Sequence, residues 1–158
     1  MACWQNLGEV LELNAKKYPG TVCLRDRLRS FTFPETNERV CRLSQALLSL
    51  GLRPGDKFSV LLENCIEFVE LYLAAAKTGL VINPINFRLV GKEISYIVRH
   101  ADARAFVVHD EFCPTVEEIR GELTEIPADR FVVVGATAAR PGYLPYEELL
   151  AGGVPRKP

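Results

Sequence analysis

The sequence is poor in the residues that build active sites. Among 158 residues there are two His, one Met and one Trp. A zinc site needs three or four close ligands, and His100 and His109 have too few partners to supply them. The five cysteines, at positions 3, 23, 41, 65 and 113, are odd in number and include no CxxC pair. That argues against a disulfide framework and against a zinc knuckle. None of the 11 glycines falls in GxGxxG or GxxxxGKS/T, so the usual phosphate-cradling loops are missing. Charge of one sign is lacking too. Nineteen basic residues face 20 acidic ones for a net charge of -1, which leaves no field to attract nucleic acid or an anionic lipid surface. Arg25, Arg27 and Arg29, interrupted by Asp26, read as a solvated face. The opening MACWQNLGEVLE has no basic stretch leading into an apolar run, so a signal peptide is not expected in it. Glu70 and Lys77 interrupt the longest apolar stretch, so a membrane-spanning helix is not expected. A reduced, cytoplasmic compartment is the default.

What is present is an ordinary globular balance, 48% hydrophobic and 25% charged, in a length that suits one domain. Leu7, Val10, Leu11, Ala15 and Tyr18 recur at helical spacing until Pro19. Two short strands, 21–25 and 30–33, with a polar turn between them predict a hairpin. Pro34 opens a second helix whose stripe is Val40, Leu43, Leu47 and Leu50, and Gly51 closes it. The pattern then becomes regular. Strands are predicted over 58–62, 80–83, 105–108 and 131–134. Between them come helices over 65–78, around Ile94–Ala101 and around Val116–Leu123. Asn64 with Glu67, and Thr115 with Glu118, have capping-box spacing. The strands are continuous apolar runs, as in a parallel sheet covered on both faces. The expected fold is α/β, a mostly parallel sheet with flanking helices, preceded by a helix–hairpin–helix segment. Residues 140–158 are rich in Pro and Gly and read as a boundary outside the core.

Each candidate chemical group has a plain structural explanation. Val134-Gly135-Ala136-Thr137 follows a strand, but a single glycine there reads as a connector. His109, Asp110 and Cys113 would allow a Cys–His nucleophile or a metal site. A strand-to-helix loop ahead of Pro114 accounts for them more simply. Glu63, Glu67 and Glu70 share a helix, yet no second cluster faces them. Glu117-Glu118 and Glu147-Glu148 fit first turns of helices. Trp4, Tyr18 and the eight Phe are core or surface anchors, because no basic residues alternate with them.

The order of segments carries more than any residue. NLGEVLELNAKKYPG is followed by FTFPETNERVCRLSQALLSLGLRPGDKFSVLLENCIEFVELYLAAAKTGLVINPINFRL and then by EISYIVRHADARAFVV. In this order and spacing the chain resembles the N-terminal part of AMP-forming acyl-CoA synthetases, the adenylate-forming superfamily of fatty-acyl-CoA ligases, 4-coumarate-CoA ligases and luciferases. The resemblance runs from Asn6 to about Val108 and more loosely to Val134. It implies a partial synthetase domain over 1–139, the N-terminal subdomain of the family's large domain. It also implies a two-step reaction in which a carboxylate attacks ATP to give an acyl-adenylate and pyrophosphate, and CoA then displaces AMP. ATP, Mg²⁺ and CoA are thus implied for the complete enzyme and no cofactor for this chain alone. The family's Thr/Ser/Gly-rich phosphate loop, its adenine-binding aromatic motif, its ribose-binding acid and its C-terminal Lys have no counterpart here. The expectation is therefore an inactive N-terminal piece with no catalytic residue and no metal ligand. Asn86, Phe87 and Arg88 are expected to line the approach to the substrate or CoA channel. Relatives often cap the following helix with Thr-Pro or Ser-Pro, where this chain has Val90-Gly91. Two other readings stand beside this one. The chain could be an interaction module or half of a split enzyme, self-associating or docking a missing C-terminal part through exposed apolar surface. It could also be an independent Rossmann- or flavodoxin-like nucleotide binder.

Overall fold

The computed structural model describes residues 7–158; Cys3, Trp4 and Asn6 lie outside the described residues. Helix α1 (Leu7–Lys17) leads into an antiparallel hairpin of β1 (Val22–Arg25) and β2 (Ser30–Thr32). Asp26 shapes the turn, its carboxylate accepting from the backbone N–H groups of Leu28 and Arg29. Helix α2 (Phe33–Ser49) starts on a capping box that the sequence reading did not single out. Glu35 accepts from the Thr32 N–H at 2.7 Å, and Thr32 Oγ1 accepts from the Glu35 N–H at 3.5 Å.

From Lys57 on, strands and helices alternate. The sheet contains β3 (Lys57–Leu61), β4 (Val81–Pro84), β5 (Ala103–His109), β6 (Phe131–Val134) and β7 (Leu144–Pro145). All neighbours are parallel, in the order β4-β3-β5-β6-β7. Its helices are α3 (Ile66–Thr78), α4 (Gly91–His100), α5 (Cys113–Ile119) and α6 (Tyr146–Gly152).

The pleat explains the continuous apolar strands. Ala105, Val107, Val132 and Val134 face one core, which they share with α1, α2, α3 and α6 through Leu11, Leu43, Leu71 and Leu149. Phe106, Val108, Phe131 and Val133 face a second core under α4 and α5, with Ile94, Val98, Val116 and Ile119. Successive side chains point to opposite faces, and helices cover both, so every position is apolar. Phe58, Phe106, Leu43 and Val107 are completely buried. At about 25 cal/mol per Å² of apolar area, each such side chain contributes roughly 1.5–3 kcal/mol.

Several expectations need correction. Asn64 does not cap α3. The cap position is Cys65, which provides no side-chain cap, and Glu67 turns instead to Arg29. Thr115 and Glu118 do not form a box, because α5 begins two residues earlier, with Pro114 in its first turn. Pro84 is the last residue of β4. It lies opposite Val60 on an edge strand, where its missing N–H costs nothing. The segment after Arg140 is not outside the core. It adds β7 and α6, burying Tyr146, Leu149 and Leu150. Composition misleads there, because the prolines and glycines flank a short amphipathic YEELL. At α4, Val90 has no oxygen to offer, and the start is secured from one side only, by Glu93 Oε2 accepting from the Val90 N–H at 3.1 Å.

Candidate functional site at the carboxyl edge of the sheet

An open parallel sheet binds ligands beyond the carboxyl ends of its strands, at the point where strand order reverses. The order here reverses around β3, which places that point between the ends of β3 and β5, at Leu61 and His109. The loop after β3 is Leu62-Glu63-Asn64-Cys65 and has no glycine. After β6, Gly135 takes φ +77°, a left-handed conformation that suits glycine. The space a side chain would need is filled, since a Cβ on Gly135 would sit 2.8 Å from His109 Nε2. That glycine therefore serves close packing against His109 and makes no cradle for phosphate.

The predicted channel residues lie together on the loop after β4, and all three are exposed. Asn86 Oδ1 accepts from the Arg88 N–H at 3.0 Å, closing a tight turn. The turn presents Phe87, whose ring stacks on Phe112 with centroids 5.9 Å apart and planes at 21°. The exposed Arg88 places its guanidinium 5.8 Å from the Phe87 centroid. His109 follows, 6.3 Å from Phe112. The loops after β4 and β5 thus bring Phe87, Phe112 and His109 into ring contact, the first pair stacked and the second tilted, with Arg88 beside Phe87.

His109, Asp110 and Cys113 are not a catalytic triplet. Cys113 is buried, its thiol directed to the His109 carbonyl oxygen at 3.9 Å, and burial pushes its pKa up. His109 Nδ1 faces Glu111 at 3.0 Å. Asp110 is ion-paired with Arg140, which holds its carboxyl below the usual range. Among the described residues, no group of three or more His, Cys, Asp or Glu is placed to hold a metal ion. Among the described residues, these side chains offer neither a ligand set for a metal ion nor a cradle for phosphate.

A third feature was not visible in the sequence. Glu70 has no exposed surface, yet it carries a carboxyl into the first core. Arg39 donates to it through Nε at 2.5 Å and Nη2 at 3.2 Å, and Tyr146 Oη donates at 2.8 Å. Arg39 also reaches Glu147 with bonds of 3.1 and 2.7 Å. Burial raises the pKa of Glu70, a push that Arg39 and Tyr146 only partly oppose. Burial, together with the neighbouring Glu70, raises Tyr146 well above its ordinary value. Beside this cluster, Arg29 donates to Glu67 at 2.6 Å. Burial, the largest single influence, favours the neutral form of Glu67, but the Arg29 bond and charge, its backbone hydrogen bond and Cys65 together outweigh it and its pKa is lowered. Arg29, Glu67, Gly135, Ala136, Tyr146 and Glu147 wall a cleft of about 220 Å³. One signal was available, since Glu70 lies in an otherwise apolar stretch of α3 and a buried acid needs a partner.

The comparisons fit this geometry. The model of a family described as "AMP-binding enzyme" matches residues 11–151. A peroxisomal butyrate–CoA ligase of Arabidopsis thaliana is 38% identical over 102 residues, covering 65% of this chain and 18% of the relative. A medium-chain-fatty-acid–CoA ligase of Ectopseudomonas oleovorans is 34% identical over 124 residues, 75% of this chain and 22% of the relative. The crystal structure of an anthranilate CoA ligase in complex with anthranoyl-AMP superposes with a TM-score of 0.91 at 28% identity. That superposition covers 99% of this chain and 30% of the ligase. The chain therefore spans about a fifth of the curated relatives' length. Among the described residues, no helix is long and apolar enough to cross a membrane. By the match across residues 11–151, the chain belongs to the family of AMP-binding enzymes and is related throughout that span to acid–CoA ligases.

Proposed function

We propose that these residues form the N-terminal scaffold of an AMP-forming acid–CoA ligase and supply no catalytic group of their own. The complete reaction joins a carboxylate to CoA at the expense of ATP, releasing AMP and pyrophosphate. The observation that carries this reading is the superposition over 99% of the chain on a ligase complexed with an acyl-adenylate. The matched relatives act, by name, on butyrate and on medium-chain fatty acids, which favours an aliphatic acid as substrate. Asn86, Phe87 and Arg88 line the approach of substrate or CoA. The exposed Arg88 guanidinium over Phe87 is suited to an anionic group on an incoming ligand.

The pure 158-residue chain should give no ATP–pyrophosphate exchange with butyrate or octanoate. Exchange above background would overturn the scaffold reading. Co-expression with the complementary part of a related ligase should restore thioester formation, and substituting Arg88→Ala in that pair should raise the KM for CoA or acid. Restored activity with no response to Arg88→Ala would remove the channel assignment and leave the scaffold.

A second reading is favoured by the exposed apolar side chains Val69 and Tyr72 on α3 and Val81 on the edge strand β4. They make a docking face for the remainder of a ligase chain. The nucleotide-binder reading keeps its strand order but lacks a phosphate loop. Calorimetry with ATP, AMP, NAD and FMN decides it, and micromolar binding of any of them would revive it.

A further inference from the structure

Residues 144–158 wall two separate cavities. Pro145, Tyr146 and Glu147 close one side of the cleft at the carboxyl edge of the sheet. Pro155 and Lys157 close one side of a larger cavity of about 520 Å³ between α1 and α2, whose other walls include Glu12, Asn37 and Cys41. The segment runs along one face of α2 and is fastened at Arg39, Arg42 and Gln45, residues three apart on that helix. Arg39 holds Glu147, Arg42 Nη1 donates to the Gly153 carbonyl at 3.1 Å, and Gln45 Nε2 donates to the Arg156 carbonyl at 3.3 Å. Lys157 ends the row near Glu9 and Glu12, at 3.9 and 3.8 Å. At Gly153 the backbones nearly touch, since a Cβ there would lie 2.0 Å from the Arg42 carbonyl oxygen.

Few backbone bonds tie this segment to the sheet. Strand β7 pairs through two residues only, and one is Pro145, which has no N–H to donate. Helix α6 has seven residues, too few to persist in water without its contacts, and no side chain caps it. Tyr143, just before the segment, is anchored in the second core on the opposite face of the sheet. The segment thus has its own fastenings, ends at a fixed anchor and has few backbone ties to the sheet; its opening withdraws only Tyr146, Leu149 and Leu150 from the first core and leaves the rest of that core packed, as in a unit that opens sub-globally.

We infer that residues 144–158 are a strap that opens as one unit while the sheet stays folded, and that its opening reshapes both cavities and uncovers Cys41. The row Arg39, Arg42 and Gln45 is the track on which it closes. Glu147, more than half exposed, is the outer half of the latch. Glu70 keeps Arg39 in place when Glu147 lets go.

The test measures amide hydrogen exchange by segment and alkylation of each cysteine by iodoacetamide, read by mass spectrometry on the full chain. In the unchanged protein, α6 amides should exchange at least tenfold faster than those of β3 and β5. In Glu147→Ala/Gly153→Ala, α6 exchange and Cys41 alkylation should both rise at least a further tenfold, with β3 and β5 unchanged. If that variant does not fold, Glu147→Ala/Lys157→Ala replaces it, since both of these side chains are largely exposed. Exchange of α6 at the rate of β5 would overturn the proposal, because the segment would then open only by global unfolding. Faster α6 exchange with unaltered Cys41 alkylation would equally overturn it, because the segment would then not cover the cavity.

Discussion

Tyr146 donates its phenol proton to Glu70 Oε2 at 2.8 Å, across 76 positions of sequence. The bond joins α6 to α3, and Arg39 on α2 completes the cluster. Removing Arg39 would leave a carboxyl with no exposed surface and one remaining partner. Breaking a buried pair on one side typically costs about 3–5 kcal/mol. Arg39→Met should therefore lower unfolding stability by about that much in urea titration. Glu70→Gln keeps one acceptor oxygen but turns an amide N–H2 toward an Arg39 N–H, so it should cost about 1–3 kcal/mol, less than Arg39→Met. The triple Arg39→Met/Glu70→Leu/Tyr146→Phe removes every partner together and should recover most of the Arg39→Met loss. A triple variant as unstable as the single one would mean that packing, not charge, is what Arg39 supplies.

Acid should unfold this protein through a definable set of carboxyls. Asp26 is held low by the backbone N–H groups of Leu28 and Arg29, Glu35 by Thr32 and Asp110 by Arg140. In Glu67 the Arg29 bond and charge, with a backbone hydrogen bond and Cys65, together outweigh burial. A carboxyl lowered on folding stabilises the native state above its unfolded pKa, about 4, and loses that contribution as pH falls through its folded value. Glu70 has the opposite sign, since a raised pKa favours the native state in acid and the benefit fades as pH rises through the folded value. With Glu12 and Glu117, also held low, six lowered groups against this one predict a urea midpoint that falls between about pH 5 and pH 3. Arg29 touches both Asp26 and Glu67, so Arg29→Met should flatten that slope. An unchanged slope would show that the two carboxyls are held by the backbone alone.

Gly79 ends α3 at φ +71°, and a Cβ there would meet Pro54 Cβ at 3.3 Å. Gly79→Ala should cost about 1–2 kcal/mol from the left-handed backbone. Gly121 has no such φ and nothing within 4 Å, so Gly121→Ala should be neutral or stabilise by up to about 1 kcal/mol. Equal effects at the two sites, by thermal unfolding, would refute the conformational argument.

Helix α4 offers a gain. Val90 is exposed and cannot accept at the cap, although Glu93 already makes the reciprocal bond. Val90→Ser would complete the box and should add about 1 kcal/mol. A variant with unchanged melting temperature would mean that the helix start is limited elsewhere.

These cases show where the sequence was legible. Strands β5 and β6 and helix α3 could be read because burial on two sides writes itself into consecutive apolar residues such as Phe131–Val134. The caps were misplaced at Asn64 and Thr115 because spacing shows which side chains could cap but not which residue leaves the helical backbone. The cluster of Arg39, Glu70 and Tyr146 was invisible because its members are 31 and 76 positions apart. Local periodicity carries no information at that range. Asn86, Phe87 and Arg88 could be placed on one loop, but the ring of Phe112 beneath Phe87 comes from a different crossover.

The outer side of α3 is the remaining sequence expectation that can be tested directly. Val69 and Tyr72 are each about two-fifths exposed, Phe68 packs on Tyr72 with centroids 5.3 Å apart, and Val81 is exposed on the adjoining edge strand. Substitutions there should separate folding from association, because these side chains contribute little to the core and much to the exposed apolar area. Val69→Ser/Tyr72→Lys should change the urea midpoint little, within about 0.5 kcal/mol for surface positions. It should also abolish concentration-dependent self-association in sedimentation velocity and weaken binding of a hydrophobic dye. Phe58→Ala, in the core below, should do the reverse, costing about 3–5 kcal/mol through the cavity it opens. If the surface double variant instead unfolds the chain, α3 is held by its outer face, and the docking role assigned to that face fails.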